Sequence, residues 1–247
     1  MEVCRLLGWD SEFFGFPIAR VCGDQLDREL AAEIDRWCRD RQIACLYFLA
    51  DSRDPGTARC AEDSGYRLVD VRVTLDSELG EPRDGAFDPS TLGRAEDLDD
   101  LVAIARVAHE DSRFYADAGF PRERCAALYE TWIRKSFEGD ADAVLVGRVD
   151  GRASGYLTCR LAAAEAPTGH IGLVAVAERA RGRGVATALV RSGLHWFGRN
   201  GAQRVEVATQ GRNLAAQRLY QAAGFRICSL RLWFHKWYQD PPRRKAT

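Results

Sequence analysis

A strand running from His170 to Val176 enters the turn Ala180-Arg-Gly-Arg-Gly184 and passes straight into a helix, Val185 to Arg199. This order constrains the chain more than any other feature. The helix has apolar positions at Val185, Leu189, Leu194 and Phe197, which suit a buried stripe. The first N–H groups of such a helix have no internal partner, and the macrodipole adds about half a positive charge there. Gly182, Gly184 and Ala186 are small enough for phosphate oxygens to reach those amides, with Val185 and Thr187 completing the first turn. Arg181 and Arg183 add positive charge, so a diphosphate suits the turn better than a single carboxylate. An ordinary strand-to-helix turn is the plainer alternative.

The rest of the chain reads as strands and helices in mixed order. Before the turn, the pattern predicts a strand at 16–21, a helix at 27–41, an apolar strand at 44–50, a short helix at 57–64 and a strand at 66–75. The stretch Ser77 to Pro89 gathers Gly, Pro and acidic residues, and marks a linker. It divides the chain into an N-terminal domain at 1–78, a linker at 79–90, a larger domain at 91–240 and a polar tail at 241–247. The larger domain opens with helices at 96–109 and 121–137. Strands at 143–149 and 153–161 follow, joined by Asp150-Gly151, a strong hairpin signal. A strand at 204–209, a helix at 213–223 and an alternating segment at 225–237 come last, with Gly224 at a helix C-cap. The expected fold class is α/β with a mixed sheet.

Composition narrows the functional classes. A net charge of −1 offers no global field for nucleic acid or an anionic membrane surface. The N-terminus lacks the signature of a secretion signal, and no apolar run reaches membrane-span length, so a cytoplasmic location is expected. Cys4, Cys22, Cys38, Cys45, Cys60, Cys125, Cys159 and Cys228 form no CxxC pair and lie near no CxxH. They are read as reduced packing residues, with no metal site.

The two halves also resemble each other. The spacing from Leu46 through Asp54 to Ser64-Gly65-Tyr66 equals that from Val205 through Asn213 to Ala223-Gly224-Phe225. The same shift places Trp37 on Trp196, and the glycine turn on Cys22-Gly23-Asp24-Gln25. That segment has one glycine, and an acid where Arg183 stands. The first half thus reads as a degenerate copy unable to hold a diphosphate, with a chance match of generic spacings as the alternative.

The run VAVAERARGRGVATALV, Val174 to Val190, resembles the acetyl-CoA motif of the GCN5-related N-acetyltransferase (GNAT) superfamily, with Arg181, Gly184 and Ala186 on its R/Q-x-x-G-x-G/A positions. The segment from Asn213 to Phe225, NLAAQRLYQAAGF, is similar to the family's second element, N-x-x-A-x-x-L-Y-x-x-x-G-F. The likeness covers 92–237. It implies a GNAT fold in the C-terminal domain beside a smaller, truncated GNAT-like N-terminal domain, with acetyl-CoA as donor and no covalent enzyme intermediate. By the same resemblance, the strand at 170–176 splays from its neighbour, leaving main-chain groups of Val174 and Val176 to hold the pantetheine arm. A backbone N–H there would polarise the thioester carbonyl.

Tyr220 is the candidate general acid, since a phenol of pKa about 10 can protonate a departing thiolate of pKa about 8.5 when hydrogen-bonded to it. Packing on the helix face is its other reading. Asn213 would bond the pantetheine or cap its helix. His170, where some relatives carry a carboxylate, is the candidate base, against a structural histidine at a strand entrance. His109, Glu110 and Asp111 read as a solvated cluster at a helix end.

The N-terminal string LGWDSEFFGFPIAR, with the later DSRFYADAGFP and LYETWI, resembles bacterial acetyltransferases acting on nucleotide-activated amino sugars, the dTDP-fucosamine acetyltransferase family. The acceptor implied is the amine of a dTDP- or UDP-linked amino sugar. Arg113, Phe114 and Tyr115 would lie beside the acceptor mouth, offering a cation for phosphate and rings for stacking. Trp9, Phe13, Phe14 and Phe16 read as interdomain packing. Rival readings are a peptide amine, polyamine or aminoglycoside as acceptor, or a non-catalytic acyl-CoA-binding regulatory module. A second copy of the chain, in a homodimer, is a further candidate partner.

Overall fold

The long alternating segment at the end of the chain crosses into the other half of the molecule. The computed structural model describes residues 2–80, 91–162 and 167–239. The polar tail at 241–247 and all of the linker except Leu79 and Gly80 lie outside them. The strands are β1 (Cys4–Leu6), β2 (Ile18–Val21), β3 (Cys45–Asp51), β4 (Arg67–Glu78), β5 (Ala143–Val149), β6 (Arg152–Leu161), β7 (Thr168–Val176), β8 (Arg204–Gln210) and β9 (Arg226–Trp237). The helices are α1 (Gly8–Phe14), α2 (Arg28–Asp40), α3 (Pro55–Asp63), α4 (Leu98–Ala108), α5 (Arg113–Ala116), α6 (Arg122–Lys135), α7 (Val185–Arg199) and α8 (Leu214–Ala222).

The strands form one mixed sheet in the order β1-β2-β3-β9-β4-β8-β7-β6-β5. Thus β4, from the first half, lies between β8 and β9, while β9 leaves β8 to pair with β3. The exchange follows an internal two-fold. The shift that carries Cys45 to Arg204 also carries Pro55 to Leu214 and Arg67 to Arg226, so β3, α3 and β4 coincide end to end with β8, α8 and β9. Pairing obeys the same rule: Cys45 faces Trp237 as Arg204 faces Glu78, and Arg72 faces Arg231 where β4 meets β9. The repeat read from the sequence is therefore carried by the register of the sheet.

Alternation along the strands builds a helical layer on each face. Tyr47 and Leu49 of β3 join Trp233, Val146 and Tyr156 under α4, α5 and α6, while Leu46 and Phe48 turn to α2 and α3. Leu145 and Leu157 turn to α7. Burying each of these large side chains contributes about 1.5–3 kcal/mol.

The pattern at the N-terminus hides α1, because its aromatics cluster instead of repeating cleanly. It ends at Gly15, whose φ of 82° closes the helix in the left-handed conformation, and β2 then starts only at Ile18. The aromatics do pack between the halves. Phe14 lies 4.7 Å from Phe120 and 5.5 Å from Phe114, Trp9 lies 6.4 Å from Trp132, and Phe16 lies 5.3 Å from Trp237, all between ring centres. The Asp150-Gly151 hairpin forms with positive φ at both residues, as a type I′ turn requires.

Candidate active site

The turn at the start of α7 keeps its amides open. Gly182 and Gly184 have φ of 74° and 78°, values that penalise any side chain. Gly184 is the N-cap and no side chain caps the helix. The first intrahelical bond is Ala188 N–H to the Gly184 carbonyl. Arg181 N–H bonds the Glu178 carbonyl, whereas the N–H groups of residues 182–187 find no acceptor among the described residues. Val176, Ala180, Arg181, Gly182, Gly184, Val185, Ala186 and Thr187 line a cavity of about 370 Å³ beside them. Arg183 swings toward Asp150, at 3.5 Å. The cavity suits a diphosphate by its free donors and its cation, Arg181.

Next to this turn, β7 and β8 part. They pair in parallel only from Thr168 opposite Arg204 to Ile171 opposite Val207. On its other edge β7 stays paired with β6, with an irregularity between Leu157 and Cys159. There the Thr158 hydroxyl accepts from Leu173 N–H at 2.8 Å, and the Ser154 carbonyl accepts from Ala177 N–H at 2.8 Å. Strand alternation then turns the N–H groups of Val174 and Val176 away from β6, into the opened gap.

A cleft of about 400 Å³ fills that gap. Val174, Asn213, Tyr220, Arg113 and Phe114 all line it. Tyr220 is 4 % exposed, and burial pushes its phenol pKa up. Its hydroxyl therefore remains protonated, the state an acid needs. The Asn213 side chain accepts from Ala216 N–H at 3.0 Å, so it caps α8 while facing the cleft.

Four of the expected residues find different surroundings. His170 lies at the paired end of β7 opposite Glu206, 3.9 Å from its carboxylate and outside the cleft lining. Its side chain stays 43% exposed there, beside the Glu206 carboxylate. Tyr115 also lies outside the cleft lining and has Arg122 over its ring at 5.8 Å. Phe114, 4 % exposed, is chiefly a core ring packed on Phe14 and Phe120. His109 is not part of a solvated cluster. It stacks on Tyr129 at 4.2 Å between ring centres and bonds the Tyr156 hydroxyl at 2.9 Å, and burial lowers its pKa to about 4.

Two groups in the cleft went unread in the sequence. Asp70, 5 % exposed, sits where the β4–β9 register shifts, and burial raises its pKa to about 6 against the pull of Arg212 at 3.8 Å. An acid between the apolar Val69 and Val71 in a strand was the available signal. The second is the support behind Arg113. Its Nη1 lies 2.7 Å from His235 Nε2, and His235 Nδ1 lies 2.6 Å from Asp117 Oδ2, which also accepts from Trp237 Nε1 at 3.0 Å. Burial holds the His235 pKa down to about 4, so the ring is neutral; it donates through Nδ1 to Asp117 and accepts through Nε2 from Arg113. Burial would raise the Asp117 pKa, but the hydrogen bonds from His235, Gly119 N–H and Trp237 outweigh it and the net shift is downward. Arg113 is thus held over Tyr47 at 4.2 Å and Trp233 at 4.4 Å.

Among the described residues no helix is long and apolar enough to cross a membrane. Comparison with known proteins agrees with this geometry. The chain is 26% identical over 237 residues to a dTDP-fucosamine acetyltransferase of Escherichia coli O6:H1, covering 93% of this chain and 96% of that protein. It is 25% identical over 160 residues to the spore coat polysaccharide biosynthesis protein SpsD of Bacillus subtilis, covering 65% of this chain and 50% of that one. Among solved structures, a GCN5-related N-acetyltransferase from Sphaerobacter thermophilus superposes with a TM-score of 0.66 at 19% identity, over 99% of this chain and 79% of that chain. A tandem GNAT protein from the clavulanic acid biosynthesis pathway gives 0.59 at 19% identity, over 93% and 77%. The acetyltransferase (GNAT) family profile matches residues 102–225, spanning the hairpin, the splayed strand, the glycine turn and α8, and the chain belongs to that family.

Proposed function

We propose that the protein transfers acetyl from acetyl-CoA to the amine of a nucleotide-linked amino sugar by direct attack. One observation carries the donor half of this reading: the unpartnered amides of 182–187 open beside a strand whose own amides face the same gap. Arg181, Gly182, Arg183, Gly184, Val185, Ala186 and Thr187 would hold the diphosphate of the donor. Val174 and Val176 would bind its pantetheine arm through their main chains, with Asn213 beside it. When bound, acetyl-CoA supplies the activated acyl group.

The chain's own groups then divide the work. An N–H in the gap, that of Val174, stabilises negative charge on the reacting carbonyl oxygen, a contribution of roughly 3 kcal/mol in acyl-transfer sites. Tyr220 gives a proton to the departing sulfur. Asp70 takes the place that His170 held in the sequence reading: with its pKa raised to about 6, it is a carboxylate at neutral pH and basic enough to take the amine's proton. In this reading residues 91–240 form the catalytic domain, completed by Asp70 of β4, while residues 1–78 are otherwise a truncated copy that binds no cofactor.

The acceptor class is supported by the dTDP-fucosamine acetyltransferase likeness over nearly the whole of both chains, and by Arg113 in the cleft. A polyamine or cationic drug would meet this cation unfavourably. Incubating the protein with acetyl-CoA and a panel of dTDP- and UDP-amino sugars, followed by mass spectrometry, tests the proposal. An acetyl mass shift with one equivalent of free thiol is the expected result. Thiol release only with peptides, polyamines or aminoglycosides would transfer the activity to another acceptor, and binding of acetyl-CoA without release would make the chain a sensor.

A further inference from the structure

Two arginines, Arg20 and Arg113, lie over the Trp233 ring and a third, Arg72, lines the cleft with it; Arg20 and Arg72 come from the first half of the chain. The sheet register puts Arg20 of β2 beside Tyr47, and Tyr47 beside His235, on the face that carries Trp233, Asp70 and Arg72. The Arg20 guanidinium lies 5.3 Å from the centre of the Trp233 ring, and that of Arg113 lies 4.4 Å from it. Arg72 and Arg113 line the cleft together with Trp233. All three arginines are half-buried.

Their neighbours do not neutralise them. The nearby Arg231 is engaged by Asp24 at 2.9 Å, and Arg53 by Asp51 at 2.8 Å. Arg212 stands against Asp70. Among the described residues, Arg20, Arg72 and Arg113 have no carboxylate within 4 Å, and Arg113 has a neutral histidine as its hydrogen-bonded side-chain partner. Asp10 and Asp70 face Arg113, and Glu206 faces Arg72, only from longer range. Burial and mutual repulsion with Arg113 depress the pKa values of both Arg20 and Arg72, with Arg5 and Arg231 adding to the repulsion. Grouping partly desolvated like charges is unfavourable without a counter-charge, and guanidinium forks match phosphate oxygens in shape.

We propose that Arg20, Arg72 and Arg113 bind the diphosphate of the acceptor at the Trp233 end of the cleft, so that the N-terminal half supplies acceptor recognition. The inference rests on the nucleotide-sugar reading above. The pairing of Asp70 with Trp233 across β4 and β9 sets the proton acceptor beside this anion site, as an amino group on a phosphate-linked sugar requires. Donor and acceptor phosphates occupy separate cavities with no lining residue in common.

Calorimetry with dTDP on the full chain tests the assignment, alongside steady-state kinetics with whichever dTDP- or UDP-amino sugar is turned over. Arg20→Ala and Arg72→Ala should each weaken dTDP binding about 10-fold, and the double variant about 100-fold, with acceptor KM rising in step. Acetyl-CoA affinity should stay unchanged in all of them, showing that they fold. Arg20→Lys should recover part of the loss, and Arg53→Ala, at an ion-paired arginine in the turn after β3, should leave every parameter intact. Unchanged dTDP affinity and acceptor KM in the double variant would overturn the inference while leaving the nucleotide-sugar reading standing. A wild-type protein that neither binds dTDP nor acetylates any nucleotide sugar would overturn both.

Discussion

The two halves place the same strand, helix and strand on a single sheet, and differ where a ligand would sit. In the C-terminal half, Arg181-Gly182-Arg183-Gly184 leads into a helix with no side-chain cap. Its counterpart is Cys22-Gly23-Asp24-Gln25, and there α2 begins later, under Asp27, whose carboxylate accepts from Leu30 N–H at 2.8 Å. The N-terminal loop is also tied down from within. Asp24 accepts from Asp51 N–H through its carbonyl and engages Arg231 through its side chain, and Thr57 Oγ1 accepts from Leu26 N–H. Ala61 occupies the position matching Tyr220, and Asp54 that of Asn213. One half has capped its helix terminus with the Asp27 carboxylate, and the other has left its terminus without a side-chain cap. The scaffold is common to both halves, and a few side chains distinguish the capped terminus from the open one.

Changes at the open turn should have the largest effect. Gly184→Glu puts a side chain at φ 78° and a carboxylate against the expected phosphates, so acetyl-CoA affinity measured by calorimetry should fall at least about 100-fold. Retained affinity would erase the contrast between the halves. Tyr220→Phe comes next: kcat should drop about 100-fold, with acetyl-CoA Kd changed less than about 2-fold. Normal turnover in this variant would remove the phenol from the chemistry and make Ala61 an uninformative counterpart.

Asp70 sharpens the comparison through pH. Its counterpart on β9 is Ser229, so the acid belongs to one site only. Its pKa is raised to about 6 and the carboxylate is the working form, so kcat/KM for the acceptor should fall as pH drops through about 6 and level off above it. In Asp70→Asn that limb should vanish along with about 10- to 100-fold of the rate at neutral pH. An unchanged limb would assign it to another group. The smallest effect is expected in the closed half: Asp24→Ala frees Arg231, yet acetyl-CoA stoichiometry should remain one per chain, because Asp27 still caps α2. A second equivalent bound would show that Asp24 alone had closed that site.

Local patterns revealed most of this fold. The glycine turn, the Asp150-Gly151 hairpin and the helix over 185–199 depend on neighbours in sequence, and α7 spans the residues its apolar spacing marks. The repeat was equally legible, since equal spacings need no knowledge of contacts. The exchange of β4 and β9 was not, because alternation shows that a strand has a buried face without saying which strand lies beside it. The same limit applies to the site. Tyr220 and Asn213 stand together in the family's second element, which follows the turn in sequence, whereas Asp70, Arg72, Arg20 and His235 come together only through sheet register. His109 seemed solvated beside Glu110 and Asp111, and only the packing of Tyr129 and Tyr156 reveals otherwise.

The most direct measurement is a crystal structure with coenzyme A. One molecule per chain is predicted, its diphosphate on the amides of 182–187 and its arm between β7 and β8, with residues 22–27 empty of ligand. A turn folded shut over the start of α7, or coenzyme A held at residues 22–27 instead, would contradict the division of labour between the halves.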